Sequence, residues 1–411
     1  MNRLLVLGGG TAGTMIVNKL RRKLDRSAWD ITIIDQDDRH HYQPGYLFLP
    51  FGSATPEQVT RSRHAFLPDG VNFVIGEIDA IDAGGNVVTL ADGRALPYDY
   101  LVIATGVTPR PDQTPGMLGD HWRTSVFDFY SLEGAQALAK ALAEFGGGRF
   151  VVHITDLPIK CPVAPLEFTF LADDYFRRRG IRDDVEMVYV TPLSGAFTKP
   201  ISSRRLGSML SDRGVRVETD FLVESVDGPA RKLISYDERE IPFDLLVTIP
   251  LNMGAEFIAR SGLGDELNYV PVDKHTLRSA AHPNIFAVGD ASNIPASKAG
   301  SVAHFSVEIF CENFLDLIAG KPMRGSFDGH ANCFIESGNG KGLLIDFNYD
   351  TEPLTGKYPV PFVGPFSLLE ETRANHLGKL AFRWMYWNVL LPGKPLPLPA
   401  HMSMAGKHVD S

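Results

Sequence analysis

The chain has 411 residues, 44% hydrophobic and 22% charged, with a formal net charge of −9. This is ordinary globular composition for two to three domains of roughly 150 residues each, and it excludes disorder, collagen and coiled coil as global descriptions. An acidic chain without a basic block makes nucleic acid an unsuitable partner, and three cysteines (Cys161, Cys311, Cys333) are too few for a disulfide-stapled scaffold or an all-cysteine iron–sulfur cluster.

Met1-Asn2-Arg3 runs directly into Leu4–Leu7 and then glycines, without the long apolar region or cleavage site of a secretion signal. No stretch reaches the roughly 20 apolar residues of a membrane-spanning helix. A soluble or peripheral protein is expected.

Leu4-Leu5-Val6-Leu7 reads as a buried parallel strand. Gly8-Gly9-Gly10-Thr11-Ala12-Gly13 follows, then an amphipathic segment over Thr14 to Leu24, then a second strand over Asp30–Ile34 ending at Asp35. Each position in this layout has a physical purpose. Gly8 permits the tight turn, Gly10 lets a pyrophosphate approach the backbone, and Gly13 lets the helix lie close to the strand. The helix N-terminus offers amide hydrogens and a positive dipole end. Asp35, 22 residues beyond Gly13, is placed to bind ribose hydroxyls. The segment predicts dinucleotide binding. His40-His41 has no metal-ligand partner at a suggestive spacing; both are read as loop residues, and no metal is expected.

Tyr98 to Ile103 is an apolar strand ending in Ala104-Thr105-Gly106. Arg149–Ile154 is another, after Gly146–Gly148, but the turn beyond it runs Thr155-Asp156-Leu157-Pro158-Ile159-Lys160-Cys161-Pro162-Val163-Ala164-Pro165. There is no glycine from there to Arg179, and its three prolines remove amide donors that a phosphate would need. A second nucleotide site of the usual kind is not expected there. A helix is predicted from Ala164 to Arg179. Cys161 lies just ahead of it, where the dipole would lower a thiol's pKa and make it a nucleophile; the other reading is a small buried hydrophobe. Asn284–Val288 forms a further strand ending in Gly289-Asp290. Cys311, within Phe310–Phe314, reads as a core cysteine on a helix.

From Phe327 the composition shifts to glycine, proline and aromatics. Phe334–Phe347 and Tyr358–Phe366 read as strands. In Leu380–Leu391, ten of twelve residues are apolar, with Trp384, Tyr386 and Trp387 among them. The run is too short to cross a bilayer and too apolar for a solvated helix. It is a core or dimer-interface helix, or one that lies in a membrane surface.

The glycine fingerprint, the Ala-Thr-Gly strand exit and the Gly-Asp strand exit, in this order, resemble the flavoproteins with two dinucleotide-binding domains, relatives of disulfide reductases and NADH dehydrogenases. Within that group, Ile159-Lys160-Cys161-Pro162-Val163-Ala164-Pro165-Leu166-Glu167 and Asn332-Cys333-Phe334-Ile335-Glu336-Ser337-Gly338-Asn339-Gly340 resemble the paired cysteine segments of sulfide:quinone oxidoreductases. His41-Tyr42-Gln43-Pro44 and Pro295-Ala296-Ser297-Lys298 also fit that family, and the resemblance covers nearly the whole chain.

The resemblance implies an α/β fold of two tandem Rossmann-like, doubly wound domains, the first discontinuous, plus a C-terminal membrane-associating module. Its boundaries would be 1–115 and 281–326 for the FAD-binding domain, 116–280 for the second domain, and 327–411 for the quinone and membrane module. It implies FAD held by Gly8, Gly10, Gly13, Asp35, Thr105, Gly106, Gly289 and Asp290, with Lys298 near the ring. It implies a Cys161–Cys333 redox disulfide that sulfide attacks, with the persulfide on Cys333, the released thiolate on Cys161, and Glu167 as acid or base. Phe334, Lys379 and Phe382 would line a quinone pocket. The partners would be sulfide, a sulfur acceptor, a membrane quinone and the surface of the cell membrane, with self-association left open. Trp122–Tyr130 holds no cysteine, so a three-cysteine sulfur relay is not expected. The alternatives are a type II NADH:quinone dehydrogenase-like enzyme, a thiol or persulfide oxidoreductase, and a non-catalytic flavin-bound redox sensor.

Overall fold

The computed structural model describes every residue except Phe362, Pro397 and 409–411. Two five-stranded parallel sheets organise the first three quarters of the chain. In the first, strands run in the spatial order Ile285–Ala287, Tyr100–Ile103, Asn2–Leu7, Trp29–Asp35, Asn72–Ile75. In the second the order is Val126–Phe127, Leu245–Ile249, Gly148–Ile154, Val185–Val190, Arg216–Glu218. Each is interrupted by a three-stranded antiparallel meander, over 78–97 in the first and 223–242 in the second. The strand Ile285–Ala287 joins the first sheet only after the chain has built the second, so the first sheet is discontinuous in sequence.

The central strands are almost wholly apolar because both faces of each sheet are covered, one by helices and the other largely by the antiparallel meander. Leu4 to Leu7, Leu101 to Ile103 and Phe150 to Val152 are all buried. On the second sheet, the helix Ala164–Arg178 brings Phe168 into a stack with Phe129 at 4.6 Å between ring centroids.

The fingerprint helix spans Thr11–Arg21, beginning three residues earlier and ending three earlier than the apolar pattern suggests. Its first turn faces the cleft and therefore carries no amphipathic signal. His40 lies in a short strand, Arg39–His41, and is buried, so the reading of both histidines as loop residues is wrong. Backbone pairing with Thr60–Ser62 extends this segment.

The C-terminal region is a five-stranded mixed sheet built on the hairpin Ala331–Gly338 and Lys341–Phe347. The helix Arg373–Met385 lies across this hairpin, capped by the Thr372 hydroxyl accepting from the Asn375 amide. A π turn over Tyr386–Leu390 continues it. The apolar run Leu380–Leu391 is split by this change. Tyr386, Trp387, Leu390 and Leu391 are buried against the first domain, whereas Leu380 and Trp384, with Leu377 one turn earlier, are exposed. Trp387 stacks on Phe66 at 5.2 Å, Tyr386 reaches Thr11 at 2.8 Å, and Asn18 donates to the Leu391 carbonyl. The second half of the run is therefore core, and only its first half presents apolar surface. Among the described residues, no helix is long and apolar enough to cross a membrane.

Candidate functional site

A single elongated cleft runs from the glycine fingerprint to the C-terminal helix. Its wall includes Gly8, Gly10, Asp35, Thr105, Gly106, Cys161, Glu167, Gly289, Asp290, Lys298, Lys379 and Phe382. Residues from five widely separated segments meet here because all leave the C-terminal ends of parallel strands or the faces packed over them, where ligands bind in open α/β sheets.

The three fingerprint glycines have distinct surroundings. Gly8 has φ +94°, and a Cβ there would meet the Ala104 carbonyl oxygen at 2.5 Å. At Gly13 a Cβ would lie 1.9 Å from the Gly8 oxygen, so only glycine lets the helix approach the strand. A Cβ at Gly10 would meet nothing within 4 Å and would project into the cleft. The Asp35 carboxylate accepts from the Gly9 amide at 2.6 Å and pairs with Arg63 at 3.0 Å. Across the cleft the Thr105 hydroxyl is buried without a partner, and burial raises the pKa of the half-buried Asp290, with Lys298 and Lys160 opposing. An open backbone cradle, an orphaned hydroxyl and an acid aimed into the same groove fit a bound dinucleotide.

Lys298 is buried rather than on the surface, with its Nζ donating to the Ser292 carbonyl and lying 4.1 Å from the centre of the Tyr269 ring. Burial lowers its pKa to about 8, against the pull of Asp290. Its backbone carbonyl accepts from the Cys161 amide.

Cys161 lies three residues before the helix Ala164–Arg178, in the left-handed region at φ +50°. A non-glycine residue there is strained, a condition common at functional sites. Two bonds hold the Cys161 carbonyl in place, from the Tyr130 hydroxyl at 3.0 Å and from the Ala164 amide at 2.9 Å. Cys333 is on the strand Ala331–Gly338, which packs against the same helix. Both thiols are free and half-buried, and each lies within electrostatic reach of the other, of Glu167 and of Lys379. Cys311 is buried in the helix Gly300–Ile318, away from the cleft.

The expected lowering of the Cys161 pKa by the helix N-terminus is outweighed by its surroundings. Burial raises it, and the Glu167 charge adds to this while Lys379 opposes. The Ala164 amide, at the start of the helix, does pull the Cys161 thiol down, but burial outweighs it. Burial also pushes Cys333 up to about 12, with Lys379 and a hydrogen bond from Ser301 pulling the other way.

Glu167 is fully buried. One oxygen accepts from Lys379 Nζ and from the Glu336 amide, both at 2.8 Å; the other has no partner. Burial raises its pKa, with Lys379 opposing. For Lys379, burial alone would lower the pKa, but the charges of Glu167 and Cys161 override it and the ammonium is held well above its usual range. Lys379 also donates to the Phe334 carbonyl at 2.9 Å. Lys379 and Phe382 border the cleft, while the Phe334 ring packs on Phe366, centroids 5.0 Å apart.

Sequence reasoning missed Arg63, Lys160, His40 and Tyr386, all of which line the cleft. His40 links the Gly9 carbonyl to the Tyr386 hydroxyl, and burial lowers its pKa to about 3, so it is neutral. Lys160, next to Cys161 in sequence, was within the recognised segment; Arg63 sits in a stretch without any motif. Among the described residues no group of three or more His, Cys, Asp or Glu has the arrangement of a metal site.

Fold and cleft together define a flavin oxidoreductase. Residues 2–304 match the family described as pyridine nucleotide-disulphide oxidoreductase, and the chain belongs to that family. It is 27% identical over 402 residues to the mitochondrial sulfide:quinone oxidoreductase of Dictyostelium discoideum, covering 96% of this chain and 87% of that protein. It is 28% identical over 416 residues to the Schizosaccharomyces pombe protein of the same name, covering 94% and 89%. Among solved structures it resembles the sulfide:quinone oxidoreductase of the hyperthermophilic bacterium Aquifex aeolicus, with a TM-score of 0.79, 20% identity, and coverage of 96% and 92%.

Proposed function

We propose that the protein oxidises sulfide to sulfane sulfur or polysulfide at a Cys161–Cys333 pair and passes the electrons, through FAD, to a membrane quinone. The observation that carries this reading is the convergence of two cysteines from distant segments on one buried Glu167–Lys379 pair at the end of a dinucleotide cleft. The names of the relatives support the same substrates.

FAD bound by Gly8, Gly10, Asp35, Thr105 and Asp290 would supply a two-electron carrier between sulfur and quinone. The chain's own residues do the rest. In the oxidised protein, hydrosulfide attacks the Cys333 sulfur of a Cys161–Cys333 disulfide. The old sulfur–sulfur bond breaks, Cys333 carries the persulfide, and Cys161 leaves as the thiolate. The Lys379 ammonium stabilises that negative charge in an otherwise apolar setting. A second sulfur anion takes the outer sulfur from Cys333, and loss of two electrons restores the disulfide. The sum is HS⁻ + RS⁻ → RSS⁻ + H⁺ + 2e⁻.

Quinone would approach between Phe334, Lys379 and Phe382. The exposed Leu377, Leu380 and Trp384, with Val360 and Val363 on the neighbouring strand turn, form an apolar surface beside that end. This surface would rest on the membrane, where a lipid-soluble quinone is found. Co-sedimentation with liposomes tests the contact: serine at Leu377, Leu380 and Trp384 should release the protein to the supernatant. Retention of that variant on the vesicles contradicts it.

A further inference from the structure

The proposed reaction sets a proton requirement. Oxidising HS⁻ and RS⁻ to RSS⁻ releases one proton and two electrons; reducing a quinone to quinol consumes two of each. Each turnover must therefore import one proton from solvent to a site whose acid–base groups are buried. Glu167 is fully buried, and the side chain of Lys379 is only 11% exposed.

Two titratable side chains, Glu336 and His376, adjoin that pair and reach toward water. His376 and Lys379 are one turn apart on the helix Arg373–Met385, so both side chains leave the same face. That face covers the strand Ala331–Gly338, where Phe334 and Glu336 alternate onto one side. His376 Nδ1 lies 2.8 Å from one Glu336 oxygen and 3.1 Å from the other. Glu336 is 2% exposed, whereas the His376 side chain is 25% exposed and reaches water. The Glu336 amide donates to Glu167 at 2.8 Å, and the Glu336 carboxyl feels the charges of both Glu167 and Lys379.

The charges acting on the Glu336 carboxyl are His376, Glu167 and Lys379, and those beside the next residues of the strand are paired elsewhere. Arg213 is held by the Ser337 carbonyl and by Glu371. Asp174, which lies against Gly338, is paired with Arg178, and Asp173 with Arg177 and Arg182. Burial raises the Glu336 pKa above the usual carboxylate range, with the His376 bond opposing.

We propose that His376 and Glu336 form the proton entry to the quinone-reducing end of the cleft, passing solvent protons to the Glu167–Lys379 pair. A proton bound by His376 from bulk water moves to the Glu336 carboxyl and then, through an intervening water, to the Glu167–Lys379 pair, from which the reduced quinone takes it; His376 is then free to bind the next. This inference rests on the sulfide-to-quinone reading above.

The test uses the FAD-loaded protein in stopped flow, with the two half-reactions measured separately by flavin absorbance. In His376→Ala and Glu336→Gln, reoxidation by a soluble short-chain quinone should slow by about tenfold or more, with far less effect on reduction by sulfide. The pH profile of reoxidation should change in both variants, and added imidazole should restore the rate in His376→Ala but not in Glu336→Gln. Reoxidation within about twofold of wild type in both variants overturns the proposal, as does a slow variant with an unchanged pH profile and no rescue by imidazole. A wild-type flavin that sulfide fails to bleach overturns the sulfide reading and this inference together, whereas normal wild-type half-reactions with unaffected variants overturn the proton entry alone.

Discussion

Replacing Lys379 by methionine keeps most of the side chain's volume and removes its charge. Lys379 Nζ lies 2.8 Å from Glu167 Oε1, an attraction of about 6 kcal/mol at an effective dielectric of about 20. Desolvation of both groups offsets part of this, and breaking a buried pair from one side costs about 3–5 kcal/mol. The loss is concentrated on Glu167, whose second oxygen has no partner and whose first would keep only the Glu336 amide.

The carboxyl can escape this penalty by taking up a proton. Its pKa is already raised by burial, with Lys379 the main opposing cause, so removing Lys379 raises it further. A carboxyl whose folded pKa exceeds its unfolded value of about 4.3 contributes its full stability below that value and loses it as pH rises through the folded pKa. The Lys379→Met variant should therefore be close to wild type near about pH 5 and about 3–5 kcal/mol less stable near about pH 8. Denaturant unfolding of the FAD-loaded protein, followed by circular dichroism at both pH values, measures this. The double variant Glu167→Gln/Lys379→Met should recover most of the loss at the higher pH. A deficit below about 1 kcal/mol at about pH 8, or one equal at both pH values, refutes the reasoning.

Gly13→Ala should abolish FAD retention on purification, because its Cβ would lie 1.9 Å from the Gly8 oxygen; a yellow, fully loaded variant contradicts the packing argument. Asp35→Asn keeps the size of the side chain but weakens its pairing with Arg63 and would weaken the proposed ribose contact, and should raise the FAD dissociation constant by about tenfold, measured by flavin fluorescence. Cys311→Ala should leave the sulfide half-reaction within about twofold of wild type and cost about 1 kcal/mol or more in stability, since Cys311 is only 7% exposed in the core.

The first sheet and its fingerprint were legible because glycine roles, strand apolarity and helix placement all depend on local sequence. The helix Ala164–Arg178 was placed to within one residue for the same reason. The fate of Leu380–Leu391 was not legible. Its composition suits core and interface alike, and only the π turn at Tyr386 divides the buried half from the exposed one. The acidity of Cys161 was not legible because the burial that outweighs the helix-end amide does not show in the local sequence. Its surroundings, Glu167 from one turn along and Lys379 from 218 residues away, depend on tertiary packing. Arg63 and His376 carry no motif, and Glu336, though inside the Cys333 segment, carries no sign of its partner; the helical spacing of His376 and Lys379 was the only signal that they share a face.

The most direct test of the central claim is an anaerobic titration of the FAD-loaded protein with sulfide and, separately, with NADH, followed by a soluble quinone. The account predicts that sulfide alone bleaches the flavin band, that quinone restores it, and that Cys161→Ser and Cys333→Ser retain FAD but no longer respond to sulfide. Bleaching by NADH, or undiminished bleaching by sulfide in the Cys333→Ser variant, would contradict it.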